Sequence, residues 1–294
     1  MSASDHATGA PRAYVPHLDG PNLRMGLAPM AVSNWLQVDR NWERYREHKL
    51  ALGAADLARV YAQLPDADEA VAELSPLLRA HLLAHHADHF QESGDGALCH
   101  TPSGTPLAGS GRPSLFELST WIQEDLLILQ PHDDAAYRLT AGSLCLPSRW
   151  SLAEKLGQPM HAIHAPVPEL NPRLGDRIDR FLNHLRPEHP VERFNWSLQS
   201  DASLAEFPGA DEPVDALHYR VERQTLRRLP TTGAIVFTVR IYVVPFEVIA
   251  SIPGAALQLR DDIAAMPAAF SAYKRMPFFQ EAIAAFTDST TQEP

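Results

Sequence analysis

Short alternating strands joined by tight turns, set between helical stretches at both ends, predict an α+β fold. Three apolar-polar runs carry the prediction: Val191 to Gln199, His218 to Leu229 and Ala234 to Val244. The last two are linked by Pro230-Thr-Thr-Gly233, which favours an antiparallel sheet over a parallel βαβ arrangement. The third observation is that 45% of the 294 residues are apolar, enough for a sizeable core and incompatible with disorder along the whole chain.

The elements follow in order. Residues 1–28 are rich in Pro, Gly and small polar residues and read as an extended arm. Asp39 to Leu64 and Ala67 to Phe90 carry apolar residues at three-to-four spacing and read as helices. Residues 92–111 have turn chemistry, as a loop or short hairpin. Asp125 to Gln130 and Tyr137 to Cys145 form a hairpin around His132-Asp133-Asp134. Ser151 and Glu154 have capping-box spacing, and Gly157 then Pro159 end the short helix they open. Asn171 to Leu185 is a second helix with Leu174, Ile178, Phe181, Leu182 and Leu185 on one face. Helical patterns return at Ala255 to Met266 and Pro277 to Phe286, before a polar tail at 287–294. Residues 29–286 are therefore expected to form one domain, with the N-terminal helices around a single core.

The formal charge is −11, which disfavours sequence-independent binding of nucleic acid. No apolar run approaches the ~20 residues of a membrane span. The N-terminus has no basic segment followed by an apolar one, so a soluble, cytoplasmic protein is expected. Two cysteines, Cys99 and Cys145, are too few for an iron–sulfur cluster or a disulfide framework.

Three constellations could carry chemistry. If the last turn pairs Arg228 with Ala234, then Gln224 faces Thr238, Glu222 faces Arg240 and Arg220 lies opposite Tyr242. One sheet face is then polar, and the other carries Ile235, Phe237, Val239, Ile241 and Val243. Val191 to Gln199 alternates likewise, Phe194, Trp196 and Leu198 against Arg193, Asn195, Ser197 and Gln199. The polar face reads either as a solvated outer surface or as a concave site with Glu222 and Arg240 paired. His161 and His164, three apart, lack a third ligand for zinc, whereas one imidazole suits haem iron. His81, His85, His86 and His89 lie in one helical stretch, and His81, His85 and His89, four apart, would share a helical face, as a surface or core-edge stripe or a metal site. Nucleophile-elbow, P-loop, G-x-G-x-x-G and H-E-x-x-H motifs are absent, as is C-x-x-C-H, so any haem is noncovalent.

The chain resembles the haem-dependent oxidative N-demethylase alpha-subunit-like proteins. The matching segments are Gln123-Glu-Asp-Leu126, Leu139-Thr-Ala-Gly-Ser-Leu-Cys-Leu-Pro-Ser-Arg-Trp150, Ala153-Glu-Lys-Leu-Gly157 and Ile163-His-Ala-Pro-Val-Pro168. Asn195-Trp196, Arg220-Val-Glu-Arg-Gln-Thr-Leu-Arg-Arg-Leu-Pro230 and Thr232-Gly-Ala-Ile-Val-Phe-Thr-Val-Arg240 follow in the same order.

The resemblance implies a PAS-like antiparallel sheet with flanking helices and an additional helical N-terminal wrap. It also implies haem b and oxidation of a small secondary amine such as dimethylamine to methylamine and formaldehyde. Oxygen is the oxidant, and NADPH-derived electrons arrive through a partner reductase carrying FMN and 2Fe-2S. A gas or amine sensor using the same pocket is the alternative, and homo-oligomerisation is left open. Under this resemblance His164 is expected as axial ligand with His161 in reserve, and Arg149, Arg193, Arg220 and Arg228 as propionate partners. Glu222 is expected to hold the substrate ammonium, and Arg223, Gln224, Arg240 and Tyr242 to donate hydrogen bonds on the distal side. Which of these face inward turns on the strand register.

Overall fold

A computed structural model describes residues 14–19, 25–107, 112–132, 136–209, 214 and 216–290. It is an α+β structure built on a large antiparallel sheet with flanking helices. In chain order the strands are β1 (Ala28–Pro29), β2 (Tyr61–Gln63), β3 (Phe90–Glu92), β4 (Leu98–His100), β5 (Thr105–Pro106), β6 (Asp125–Pro131), β7 (Tyr137–Ser143), β8 (Val191–Gln199), β9 (His218–Arg228) and β10 (Ile235–Pro245). The helices are α1 (Trp42–Val60), α2 (Asp68–His85), α3 (Leu115–Ser119), α4 (Leu152–Lys155), α5 (Met160–Ile163), α6 (Leu170–His184), α7 (Phe246–Ala250), α8 (Ala255–Ala264), α9 (Ala268–Tyr273) and α10 (Met276–Thr290). The main sheet runs β1-β8-β9-β10-β6-β7-β2, and β3-β4-β5 form a separate small sheet.

Most expected elements are present. The 92–111 stretch contributes β4, β5 and the end of β3, with residues 108–111 outside the described residues. Of the expected arm, residues 16–19 form a 3-10 turn whose His17 bonds Tyr219 and the Ala255 carbonyl. The helix expected to run to Leu64 stops at Val60, where the backbone extends into β2 beside β7. Helices α7 and α9, of five and six residues, are too short to show a period in the sequence. Ser151 makes no side-chain cap; the capping box that does form joins Ser114 and Glu117 at the start of α3.

The sheet has two unlike faces. The N-terminal face is dry: Leu126, Ile128, Ala141 and Val236 pack with Trp35, Trp42, Val71, Leu74 and Leu78. The other face is covered at one end by Leu182 and Leu185 on Leu226, Val191 and Ile235. At the opposite end Leu146, Leu204 and Phe207 lie with Ile241 and Val243. Between these two covers it is a cleft face, and Arg193, Asn195, Ser197, Glu222, Gln224, Phe237 and Val239 are each only half-buried. Strands β9 and β10 are interior to the sheet, so incomplete burial there means that the described elements cover its middle only in part.

The register of the β9–β10 hairpin differs by one residue from the expected one. Arg228 pairs with Ile235, Thr225 with Thr238, Arg223 with Arg240 and Glu222 with Ile241. The turn closes between Leu229 and Ala234 (N···O 2.7 Å), leaving a four-residue loop in which Gly233 takes φ +70°. Glu73 of α2 fixes that loop by accepting from Thr231 N, Thr232 N and Thr232 Oγ1 at 2.7–2.8 Å. A one-residue shift turns every side chain of one strand to the other face. Arg220, Glu222 and Gln224 therefore share a face with Phe237, Val239 and Ile241, and Arg240 and Tyr242 do not.

Candidate haem and substrate site

His164 is set by its local sequence. Gly157, with φ +76°, turns the chain after α4, and Gly157 N and Leu139 N bond across to Leu139 O and Gln158 O, which pins this turn to β7. Pro159 caps α5, and its fixed φ suits a helix start. His164 closes the helix as its C-cap, donating N–H to Met160 O at 3.0 Å, and Pro166 and Pro168 then prevent continuation. Burial first, then the Arg193 guanidinium and Lys155, push the His164 imidazole down to about 4. It is neutral at physiological pH, with a lone pair free for a metal. His161 lies one turn earlier on α5, and its carbonyl accepts from Asn171 Nδ2 at 2.7 Å.

The cleft face supplies the other groups. Asn195 Nδ2 and Gln224 Nε2 both donate to Glu222 Oε2, at 3.3 and 2.9 Å. The second oxygen, Oε1, lies 4.0 Å from Nε of the fully buried Arg220. Lys274, between α9 and α10, donates to Asn195 Oδ1 at 3.3 Å and to the Trp196 carbonyl. Burial pushes its ammonium down to about 7, against Glu222, whose charge favours it, and alongside Arg193, whose charge does not. Glu222 also acts on Tyr273, whose phenol is raised mainly by burial. His164, Arg193, Glu222, Lys274 and Tyr273 thus form one electrostatic neighbourhood. Apolar walls adjoin it: Met160, Ile163, Ile178, Phe181, Phe237 and Val239 are half-buried around the core beneath α5 and α6.

The remaining expected site residues lie elsewhere. Arg223, Arg240 and Tyr242 are on the N-terminal face, tied to the segment before α1. Arg223 donates to Glu192 (2.8 Å), Trp35 O (3.2 Å) and Asn34 O (2.6 Å). Arg240 pairs with Asp39 at 2.9 Å and stacks over Tyr45 and Tyr242. The Tyr242 hydroxyl bonds Gln37. The expected distal set is therefore divided by the sheet: Glu222 and Gln224 face the cleft, and the other three build the opposite side.

Two of the four expected propionate partners are committed to backbone. Arg220 donates to Leu204 O, Leu146 O and Gln199, and Arg228 ties the end of α6 by donating to Leu182 O and Leu185 O. A cation there suits the unsatisfied carbonyls and negative end of the helix. Arg193 stays beside His164. Arg149 lines a pocket of about 470 Å³ with Ala272, Arg275, Pro277 and Phe278.

The histidine stripe does not survive as one face. Helix α2 ends at His85, so His89 lies beyond it. His81 is buried and pushed to about 3, and His86 to about 4, burial being the main cause for both. Among the described residues no three of His, Cys, Asp and Glu converge on a metal-sized point.

Lys274 was not singled out by sequence. It stands 79 residues from Asn195 in a helical region, and no motif links the two.

A neutral, lone imidazole beside half-exposed apolar walls and a cation fits haem, which brings its own four nitrogen ligands and needs one axial donor. No described helix is long and apolar enough to cross a membrane. The family model for haem-dependent oxidative N-demethylase, alpha subunit-like proteins matches residues 26–284. With most of its length covered by that match, the chain belongs to the haem-dependent oxidative N-demethylase alpha-subunit-like family.

Proposed function

We propose that the chain demethylates a small secondary amine such as dimethylamine, giving methylamine and formaldehyde, with haem b held noncovalently through His164. The observation that carries the reading is the half-buried middle of the cleft face, where a neutral imidazole, a carboxylate and apolar walls adjoin. The strand order lends support to a PAS-like core. The early hairpin β6–β7 joins the late strands β8–β9–β10 through β10, with α4, α5 and α6 between them in sequence. The N-terminal helices wrap this core in one domain spanning residues 29–286.

When bound, haem supplies oxygen activation and one-electron chemistry. His164 would hold it, and Arg193 and Arg149 would pair with its propionates. Glu222 binds the dialkylammonium: its Oε2 is fixed by Asn195 and Gln224, which leaves Oε1 to accept the substrate N–H. Phe237 and Val239 shield the methyl groups from water. NADPH-derived electrons come from a partner reductase with FMN and 2Fe-2S, in the cytoplasm.

The test is the absorption spectrum of haem-supplied protein beside His164→Ala, followed by formaldehyde release with a reductase added. A Soret band lost or shifted in the variant, with amine-dependent formaldehyde from the wild type, is expected. A colourless wild type after full haem supply overturns the reading, and a haem protein that binds amine without turnover is a sensor instead.

A further inference from the structure

We infer that Lys274 is a positioning residue for the substrate-binding carboxylate, acting through the side-chain amide of Asn195. This rests on the reading of Glu222 as the amine-binding group. Strand β1 pairs only with Val191 and Glu192, so among the described residues no strand pairs the outer edge of β8 beyond them. Lys274, carried by the turn between α9 and α10, reaches this edge. It donates to Trp196 O, lies 4.4 Å from the centre of the Trp196 ring and donates to Asn195 Oδ1 at 3.3 Å.

The chemistry of the three groups then fixes one arrangement. An ammonium only donates, a carboxylate only accepts, and a primary amide does one at each end. With Lys274 on Oδ1, Asn195 must turn Nδ2 toward Glu222, where it donates to Oε2 at 3.3 Å. Gln224 adds its own donor to the same oxygen at 2.9 Å. Both amides hold Oε2, and Oε1 stays available. Without Lys274 the orientation of the Asn195 amide rests on Glu222 alone, and Asn195 Oδ1 loses its charged donor. A flipped Asn195 sets its oxygen against the carboxylate, removing one restraint on Glu222 and adding a repulsion.

Affinity for dimethylammonium is measured by calorimetry on the full-length haem-loaded protein for wild type, Glu222→Gln, Lys274→Met, Lys274→Arg, Asn195→Leu and the Lys274→Met/Asn195→Leu double variant. Lys274→Met is expected to weaken binding about ten-fold, the size of one charged hydrogen bond, and Lys274→Arg to recover most of it. The Lys274→Met change is expected to add nothing once Asn195 is Leu. Undiminished affinity in Lys274→Met, or equal losses in the Asn195 and Asn195→Leu backgrounds, overturns the inference when Glu222→Gln does lose binding. A lost fold in Lys274→Met is separated by its melting curve, and Lys274→Gln then takes its place. Undiminished binding in Glu222→Gln overturns the Glu222 reading itself. In that case the Asn195 side-chain amide resonances, read without amine, decide the orientation claim. They should shift and exchange faster in Lys274→Met but not in Lys274→Arg, and unchanged resonances overturn it.

Discussion

Replacing Arg240 with Met should unfold the protein more easily and leave amine recognition intact, while replacing Glu222 with Gln should do the reverse. Arg240 is 1% exposed and its side chain meets three kinds of partner. The bond to Asp39 is charge-assisted, but that carboxylate is 39% exposed, so its loss costs about 1 kcal/mol after solvent screening. The guanidinium lies 4.1 and 4.7 Å from the Tyr45 and Tyr242 ring centres, worth about 1 kcal/mol together once the packing of Met is allowed for. Glu124 is fully buried, and although burial raises its carboxyl, Arg240 is the strongest opposing influence. Leaving such a group without its cation costs about 2 kcal/mol even if it takes up a proton. The sum is about 4 kcal/mol, a large part of a stability of about 5–15 kcal/mol, and lowers the melting temperature by about 10 °C.

Glu222 is half-buried; its hydrogen-bond partners Asn195 and Gln224 are neutral, and the buried Arg220 that it faces at 4.0 Å keeps its carbonyl acceptors, so Glu222→Gln should cost about 1–2 kcal/mol, less than Arg240→Met. Urea unfolding and amine titration at a temperature where both variants are folded make the comparison. An Arg240→Met protein with wild-type unfolding and lost amine binding would refute the assignment of Arg240 to the structural face.

Three further outcomes follow from the same geometry. His81, His86 and His100 are depressed mainly by burial, to about 3 for His81 and about 4 for the other two, so the folded state resists protons that the unfolded chain accepts near its ordinary value of 6.5. Their stabilisation is complete above 6.5 and falls as pH drops toward 4. Asp125, raised to about 6 mainly by burial, works in the opposite direction between 3.8 and 6. With the half-buried imidazoles discounted, denaturant midpoints should fall by about 2 kcal/mol equivalent per pH unit below 6, and a flat profile would contradict this. Gly142→Ala places a Cβ 2.6 Å from Leu152 Cδ1; about 1–3 kcal/mol of overpacking and a perturbed Soret band are expected, because α4 leads directly into the His164 segment. Arg228→Met removes donors to Leu182 O, Leu185 O, Gly233 O and the Tyr137 hydroxyl and should cost about 3–5 kcal/mol, with faster amide exchange at the end of α6.

The sequence by itself determined the fold class, the three late strands and the α6 face. Each is written in local signals: period-two and three-to-four apolar spacing and the Pro230 to Gly233 turn; the short helix that carries His161 appeared only in the structure. The parity of the β9–β10 pairing was not written there. Strand β9 carries Arg220, Glu222 and Gln224 on one face and Arg223 and Arg227 on the other, so no clean apolar stripe marks which side is buried. Only the tertiary structure decides it: Glu192, the Trp35 and Asn34 carbonyls and Asp39 neutralise Arg223 and Arg240 on the N-terminal face. Burying those cations requires partners brought from up to 201 residues away, and the partners become visible only once the chain has folded. Lys274 is legible only for the same reason, because a charge meant for a distant carboxylate looks, in sequence, like any other lysine between two helices.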